Sequence, residues 1–128
     1  MPAKLAALGI VTRDMRESVR FYRELGVDVA DPESAEDHHE TTLPNGLRLM
    51  WDTVELIRKL DPDWQQPRGH RIAIAFECES PDDLNETHAR VMEAGFNSKT
   101  EPYDAFWGQR YATLLDPDGN AVDLFAPS

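Results

Sequence analysis

Tyr103, Phe106 and Trp107 lie within five positions of one another, and Arg110 follows three residues later. Flat polycyclic ligands are held by aromatic faces of this kind, each stacking pair giving about 0.5–1.5 kcal/mol beyond area burial. The planar guanidinium of Arg110 can donate to quinone or carbonyl oxygens or cover a ring, and it can equally form an ordinary salt bridge. Asp104, Gly108 and Gln109 around these aromatics mark a loop and rim rather than an interior. An earlier stretch ends in Met50-Trp51-Asp52, which adds a further ring, a soft thioether surface and a carboxylate. Asp52 and Asp123 can accept hydrogen bonds from a ligand or serve structural turns, and Met50 suits either a ligand face or a core. His38 and Glu40 share one face of an extended segment while His39 takes the other, because side chains alternate along a strand. His38 is therefore either a single ligand contact or a solvated edge beside the acidic segment 31–37.

The elements that must position these residues occur twice. Leu5–Val11 is short, apolar and nearly continuous, as in a strand covered on both faces. Asp14 stands three residues before Glu17 at capping-box spacing, and Met15, Val19 and Tyr22 recur at helical intervals until Gly26. Glu40–Leu43 and Leu47–Trp51 flank Pro44-Asn45-Gly46 as a hairpin. The order then returns. Ile72–Cys78 reads as a strand, and Ser80 with Pro81 opens a helix through Leu84, His88 and Val91 to Gly95. Tyr111–Leu115 and Ala121–Phe125 flank the turn-forming run Asp116-Pro117-Asp118-Gly119-Asn120. In the connector, residues 53–68, Val54–Leu60 has room for two helical turns, and Trp64 follows as a clasp over the core or a ligand contact.

With 128 residues, one domain is the expectation for 1–128, made of a first module over about 5–52, the connector 53–68 and a second module over about 69–126. The net charge of -11 argues against a grip on phosphate backbones or anionic membranes, so neither nucleic acid nor a membrane is an expected partner. A single cysteine, Cys78, forms no internal disulfide, and no apolar run approaches the roughly 20 residues of a membrane span. A cytoplasmic location is expected.

The paired order, the segment Arg13-Asp14-Met15 to Phe21-Tyr22-Arg23-Glu24-Leu25-Gly26, and Trp107-Gly108 with Asp116–Asn120 resemble the vicinal oxygen chelate superfamily. That resemblance implies an α+β fold of two βαβββ modules forming curved mixed sheets around a cleft. Leu47–Glu55, Asp61-Pro62-Asp63-Trp64, Gly69–Glu77 and Trp107–Pro127 look like the mitomycin-resistance proteins and related antibiotic-sequestering members. The narrower resemblance implies a homodimer that binds an aromatic or quinone-bearing natural product, of the mitomycin or anthraquinone-fused enediyne class, without transforming it. It also gives His38 its weight as a ligand contact.

Enzymes of the superfamily place a divalent metal on a His or Glu at the start of each module's first strand and near the end of its last. In this sequence those places fall at about Ala7, Met50, Ala73 and Asp123. Alanine has no donor and a thioether suits such ions poorly, so no metal and no cofactor are expected. His70 would rescue a metal only through a slip of three positions, which reverses the strand face. The expected function is drug sequestration without catalysis, with Trp107, Phe106, Tyr103, Arg110, Trp51, Met50, His38, Asp52 and Asp123 as ligand contacts. The alternative is a metal-dependent lyase, isomerase or dioxygenase of the same superfamily; a metal-free catalyst using Asp123 or His38 as base and a vestigial cleft are the others.

Overall fold

A computed structural model describes residues 2–128. The chain divides into two compact units, Met1–Pro67 and Arg68–Ser128.

In the first unit, β1 (Ala7–Thr12), α1 (Met15–Glu24), β2 (His38–Thr42), β3 (Arg48–Thr53) and α2 (Val54–Leu60) follow in order. The sheet order is β1-β3-β2, with β1 parallel and β2 antiparallel to β3. Asp14 caps α1 by accepting from the Glu17 amide at 3.2 Å. Only that half of the capping box forms, because the Glu17 carboxylate turns to Arg20 at 2.9 Å. Beyond the helix Gly26 adopts φ 101°, a left-handed conformation that costs glycine no Cβ clash. The buried face of α1 presents Met15, Val19, Phe21 and Tyr22, while the sheet contributes Ile10, Leu49 and Trp51 to the same core. Tyr22 meets Trp51 edge-on at 5.9 Å. The expected connector helix forms as α2, and it packs on β1 and β3 as part of this unit.

The second unit runs β4 (Ile74–Glu77), α3 (Pro81–Glu93), β5 (Asn97–Asp104), β6 (Gln109–Leu115) and β7 (Ala121–Pro127). Its sheet order is β4-β7-β6-β5, with β4 and β7 parallel and the other pairs antiparallel. Ser80 caps α3 by accepting from the Asp83 amide at 3.0 Å. On the helix side, Ala112, Leu114, Val122, Leu124 and Ala126 are fully buried, as are Leu84 and Val91 of α3. Asp116 holds the β6–β7 turn by accepting from the Asp118 and Asn120 amides, each at 2.9 Å.

The duplication is real in topology: each unit joins a first strand in parallel to its last one, with the helix between them in sequence. The first unit departs from the expected βαβββ by one strand. Its segment after Gly26 takes the place in chain order that β5 takes in the second unit, yet pairs with no strand. Side chains satisfy its carbonyls instead. Arg23 donates to Val29 O at 2.9 Å, Thr41 to Asp28 O at 2.8 Å and His39 to Ala30 O at 2.8 Å. Carbonyls satisfied in this way need no partner strand.

Candidate functional site

The second sheet has a helix-covered face and an open one, and alternation decides which residues go where. Tyr111 and Thr113 on β6 and Ala121, Asp123 and Phe125 on β7 lie opposite the buried set. Thr113 and Asp123 are register partners, so their side chains stand side by side. The Asp123 carboxylate accepts from the Thr113 hydroxyl at 2.9 Å through Oδ1 and from the Tyr111 phenol at 2.7 Å through Oδ2. Burial first, then the bond to Asp123 and its charge, push the Tyr111 pKa up to about 12. Tyr111 is thus a fixed neutral donor rather than a base.

Three further rings surround it. Trp107 meets Tyr111 edge-on with centroids 5.3 Å apart, Tyr103 lies 6.4 Å from Tyr111, and Phe106 meets Trp107 at 5.0 Å. Trp107 and Tyr103 remain 49% and 40% exposed, and Phe106 is 97% exposed, so this is a surface of rings and not a filled core. The turn between β5 and β6 closes through the Ala105 amide and Gln109 carbonyl at 2.8 Å. Gly108 supplies its φ of 92°. The Trp107 indole N–H donates to Gln109 Oε1 at 2.8 Å, which fixes the ring on the turn.

Sequence reasoning placed Tyr103, Phe106, Trp107 and Asp123 in the site, and the structure brings all four to this region, with Tyr103 at the end of β5 rather than in a loop. Tyr111 and Thr113 were missed. Their spacing of two along a strand was the available signal, but choosing the Asp123 face required the β6–β7 register. Arg110 goes elsewhere. It alternates with Tyr111, and its guanidinium donates to Asn85 of α3 and to Asp104, each at 3.2 Å.

The first sheet also has an open face, formed by His38 and Glu40 of β2 and Arg48, Met50 and Asp52 of β3. His38 sits between two carboxylates, Nδ1 to Asp52 Oδ1 at 2.6 Å and Nε2 to Glu40 Oε1 at 2.9 Å. Glu40 also accepts from Arg48 at 3.0 Å. These bonds, to Asp52 first and Glu40 second, raise the His38 pKa, and the bond from His38 lowers that of Glu40. When protonated, this imidazole donates through both nitrogens, serves as a charge clamp and has no lone pair for base work. Met50 lies on this face across from Gly9, where a Cβ would meet its Cε at 3.9 Å. Trp51 is a correction. It was expected to line a ligand sandwich, but one step of alternation turns it to the helix side, where it is completely buried.

Residues 4–124 match the Glyoxalase/Bleomycin resistance protein/Dioxygenase superfamily. The chain belongs to this superfamily. Among solved structures it is similar to a glyoxalase/bleomycin resistance protein/dioxygenase family enzyme from Burkholderia phytofirmans PsJN, at TM-score 0.84 and 17% identity over 98% of this chain and 100% of that one. A glyoxalase-related enzyme from Fulvimarina pelagi gives TM-score 0.83 and 18% identity, over 96% and 87% of the two chains. A lactoylglutathione lyase from Agrobacterium tumefaciens gives 0.70 and 13%, over 98% and 94%. At these identities the likeness is one of fold. No curated protein matches the sequence significantly.

Glyoxalase-superfamily membership raises the question of a metal, and the donor set answers it. Gly9 and Ala75 each stand five residues before their helix caps, Asp14 and Ser80, and so occupy equivalent places. Their rungs read Gly9–Met50–Glu40 and Ala75–Asp123–Thr113. Neither first strand offers a donor there, Met50 offers a thioether, and both Asp123 oxygens already accept hydrogen bonds. His70 borders a cavity with Asp123, but no third His, Cys, Asp or Glu joins them as a metal group among the described residues. The residues present do not fit the family's divalent ion. Among the described residues no helix is long and apolar enough to cross a membrane.

Proposed function

We propose that this glyoxalase-superfamily chain is a binding protein that captures a planar aromatic or quinone-bearing natural product, of the mitomycin or anthraquinone-fused enediyne class, and releases it unchanged. The observation that carries the proposal is the half-exposed ring surface of Trp107, Tyr103 and Tyr111 beside a carboxylate held by two hydroxyls. Rings supply contact area at low entropic cost, and the Tyr111–Asp123–Thr113 cluster supplies a fixed polar edge that orients a quinone or hydroxyl group. The same cluster favours binding over turnover, because its phenol is held protonated and its carboxylate is occupied. His38 and Asp52, expected ligand contacts, are committed to each other, and His38 also to Glu40.

Sequestration lowers free drug only if affinity is roughly micromolar or better, about -8 kcal/mol. A homodimer belongs to the proposal through the narrower sequence resemblance. The strongly acidic chain would keep captured drug away from nucleic acid. The test is to titrate chelator-treated protein with mitomycins, anthraquinone enediynes and bleomycin, then to recover each ligand for mass analysis. Saturable binding with the compound returned intact supports sequestration. An altered compound, or binding only after metal is restored, supports a lyase, isomerase or dioxygenase instead.

A further inference from the structure

The second unit carries an open cavity of about 380 Å³ whose lining includes His70, Arg71, Lys99, Thr113 and Asp123. Its composition is unusual for this chain. Acidic residues outnumber basic ones 24 to 13, and four surface arginines are ion-paired: Arg20 with Glu17, Arg23 with Asp31, Arg48 with Glu40 and Arg110 with Asp104. The side chains of His70, Arg71 and Lys99 make no hydrogen bond or ion pair among the described residues, yet all three line one concavity. The one carboxylate there, Asp123, is already turned toward Tyr111 and Thr113.

Register ties this cavity to the ring surface. Thr113 and Asp123 form the rung beside Tyr111, two residues along β6, or about 7 Å at strand rise. A ligand lying on Tyr111 and long enough to cross the Thr113–Asp123 rung would reach the basic cavity. We infer that this cavity is an anion subsite, and that the molecule bound on the ring surface carries an acidic group, a carboxylate, sulfate or phosphate, that lies between Lys99 and Arg71. The inference deepens the binding-protein reading and rests on it for the aromatic half of the ligand. Arg71 provides a planar fork for two acceptor oxygens and Lys99 a compact charge, which together suit an oxyanion better than either alone. Neutral members of the same ring class would lose this contact and keep the stacking.

The test compares anthraquinone-2-carboxylate with anthraquinone-2-carboxamide, equal in shape and different in charge, by tryptophan quenching at low and high salt. We expect the carboxylate to bind about fivefold more tightly at low salt, the scale of exposed charge contacts, with the preference shrinking as salt screens it. In the Arg71→Ala/Lys99→Ala double variant the two probes should bind alike, with an unchanged melting temperature because both side chains are exposed. Equal binding of both probes to the unmodified protein would overturn the anion subsite and leave the aromatic reading standing. If neither probe binds, the aromatic reading fails, and inorganic phosphate decides the cavity by itself. Saturable amide shifts at Thr100, Ala121 and Asp123, lost in the double variant, would support the subsite, whereas an absence of shifts would overturn it.

Discussion

The Tyr111 phenol donates to Asp123 Oδ2 at 2.7 Å, and the same carboxylate takes the Thr113 hydroxyl through its other oxygen. This relationship joins the ring surface to the polar edge and helps keep the Tyr111 phenol protonated. Removing the phenol with Tyr111→Phe leaves a partly buried carboxylate short of one donor, a loss of about 1–3 kcal/mol. Because its pKa is raised above the ordinary tyrosine value of 10.0 to about 12, the bond's contribution is full below pH 10 and is lost as pH rises toward 12. Absorbance titration near 295 nm should show a late-ionising phenol that is lost in Tyr111→Phe. No loss of late-ionising absorbance in that variant would contradict the bond.

His38 gives a pH dependence of the same direction in a different window. Its raised pKa means that the native state holds its proton more tightly than the unfolded chain does. The stabilisation is therefore fully present below the ordinary histidine value of 6.5 and declines as pH rises through the native pKa. Since the side chain is 41% exposed, solvent limits the effect to at most about 1 kcal/mol. Melting temperatures of the parent and His38→Gln should differ most near pH 6 and converge at alkaline pH. A constant difference across that range would remove the charge clamp from the account.

Trp51 and Arg110 separate structural from binding roles. Trp51→Ala should cost about 3–5 kcal/mol in unfolding by denaturant, because the ring is wholly buried against Tyr22. Arg110→Ala should cost no more than about 1 kcal/mol and leave ligand affinity within twofold, since its guanidinium serves Asn85 and Asp104. A large loss of affinity in Arg110→Ala with unchanged stability would return that residue to the site.

Much of this organisation was legible in the sequence, and the failures at the site have a common cause. Asp14, Ser80, Gly26 and Gly95 mark α1 and α3 through local capping chemistry, which needs no partner segment. The ring cluster was legible because polar and glycine neighbours placed Phe106 and Trp107 on a rim. What sequence could not fix was strand parity. Trp51 and Met50 are adjacent, so one position decides which faces α1 and which faces outward. The same single step separates Arg110 from Tyr111, and only the β6–β7 ladder resolves it. The missing strand of the first unit was hidden for another reason. Its carbonyls are taken by the side chains of Arg23, His39 and Thr41, a pairing that leaves no signal in the segment itself.

The most direct test is a parallel titration of the parent protein, Trp107→Ala and Trp64→Ala with the planar quinone that binds most tightly in the panel, paired with a melting curve for each. Trp107 lies half-exposed on the ring surface, whereas Trp64 stands under the Arg58 guanidinium at 5.7 Å in the other unit. Trp107→Ala is expected to weaken binding at least about tenfold, with little change in melting temperature, while Trp64→Ala leaves affinity within twofold. Equal loss in both variants, or unchanged affinity in Trp107→Ala, would contradict the assignment of the second unit's ring surface as the binding site.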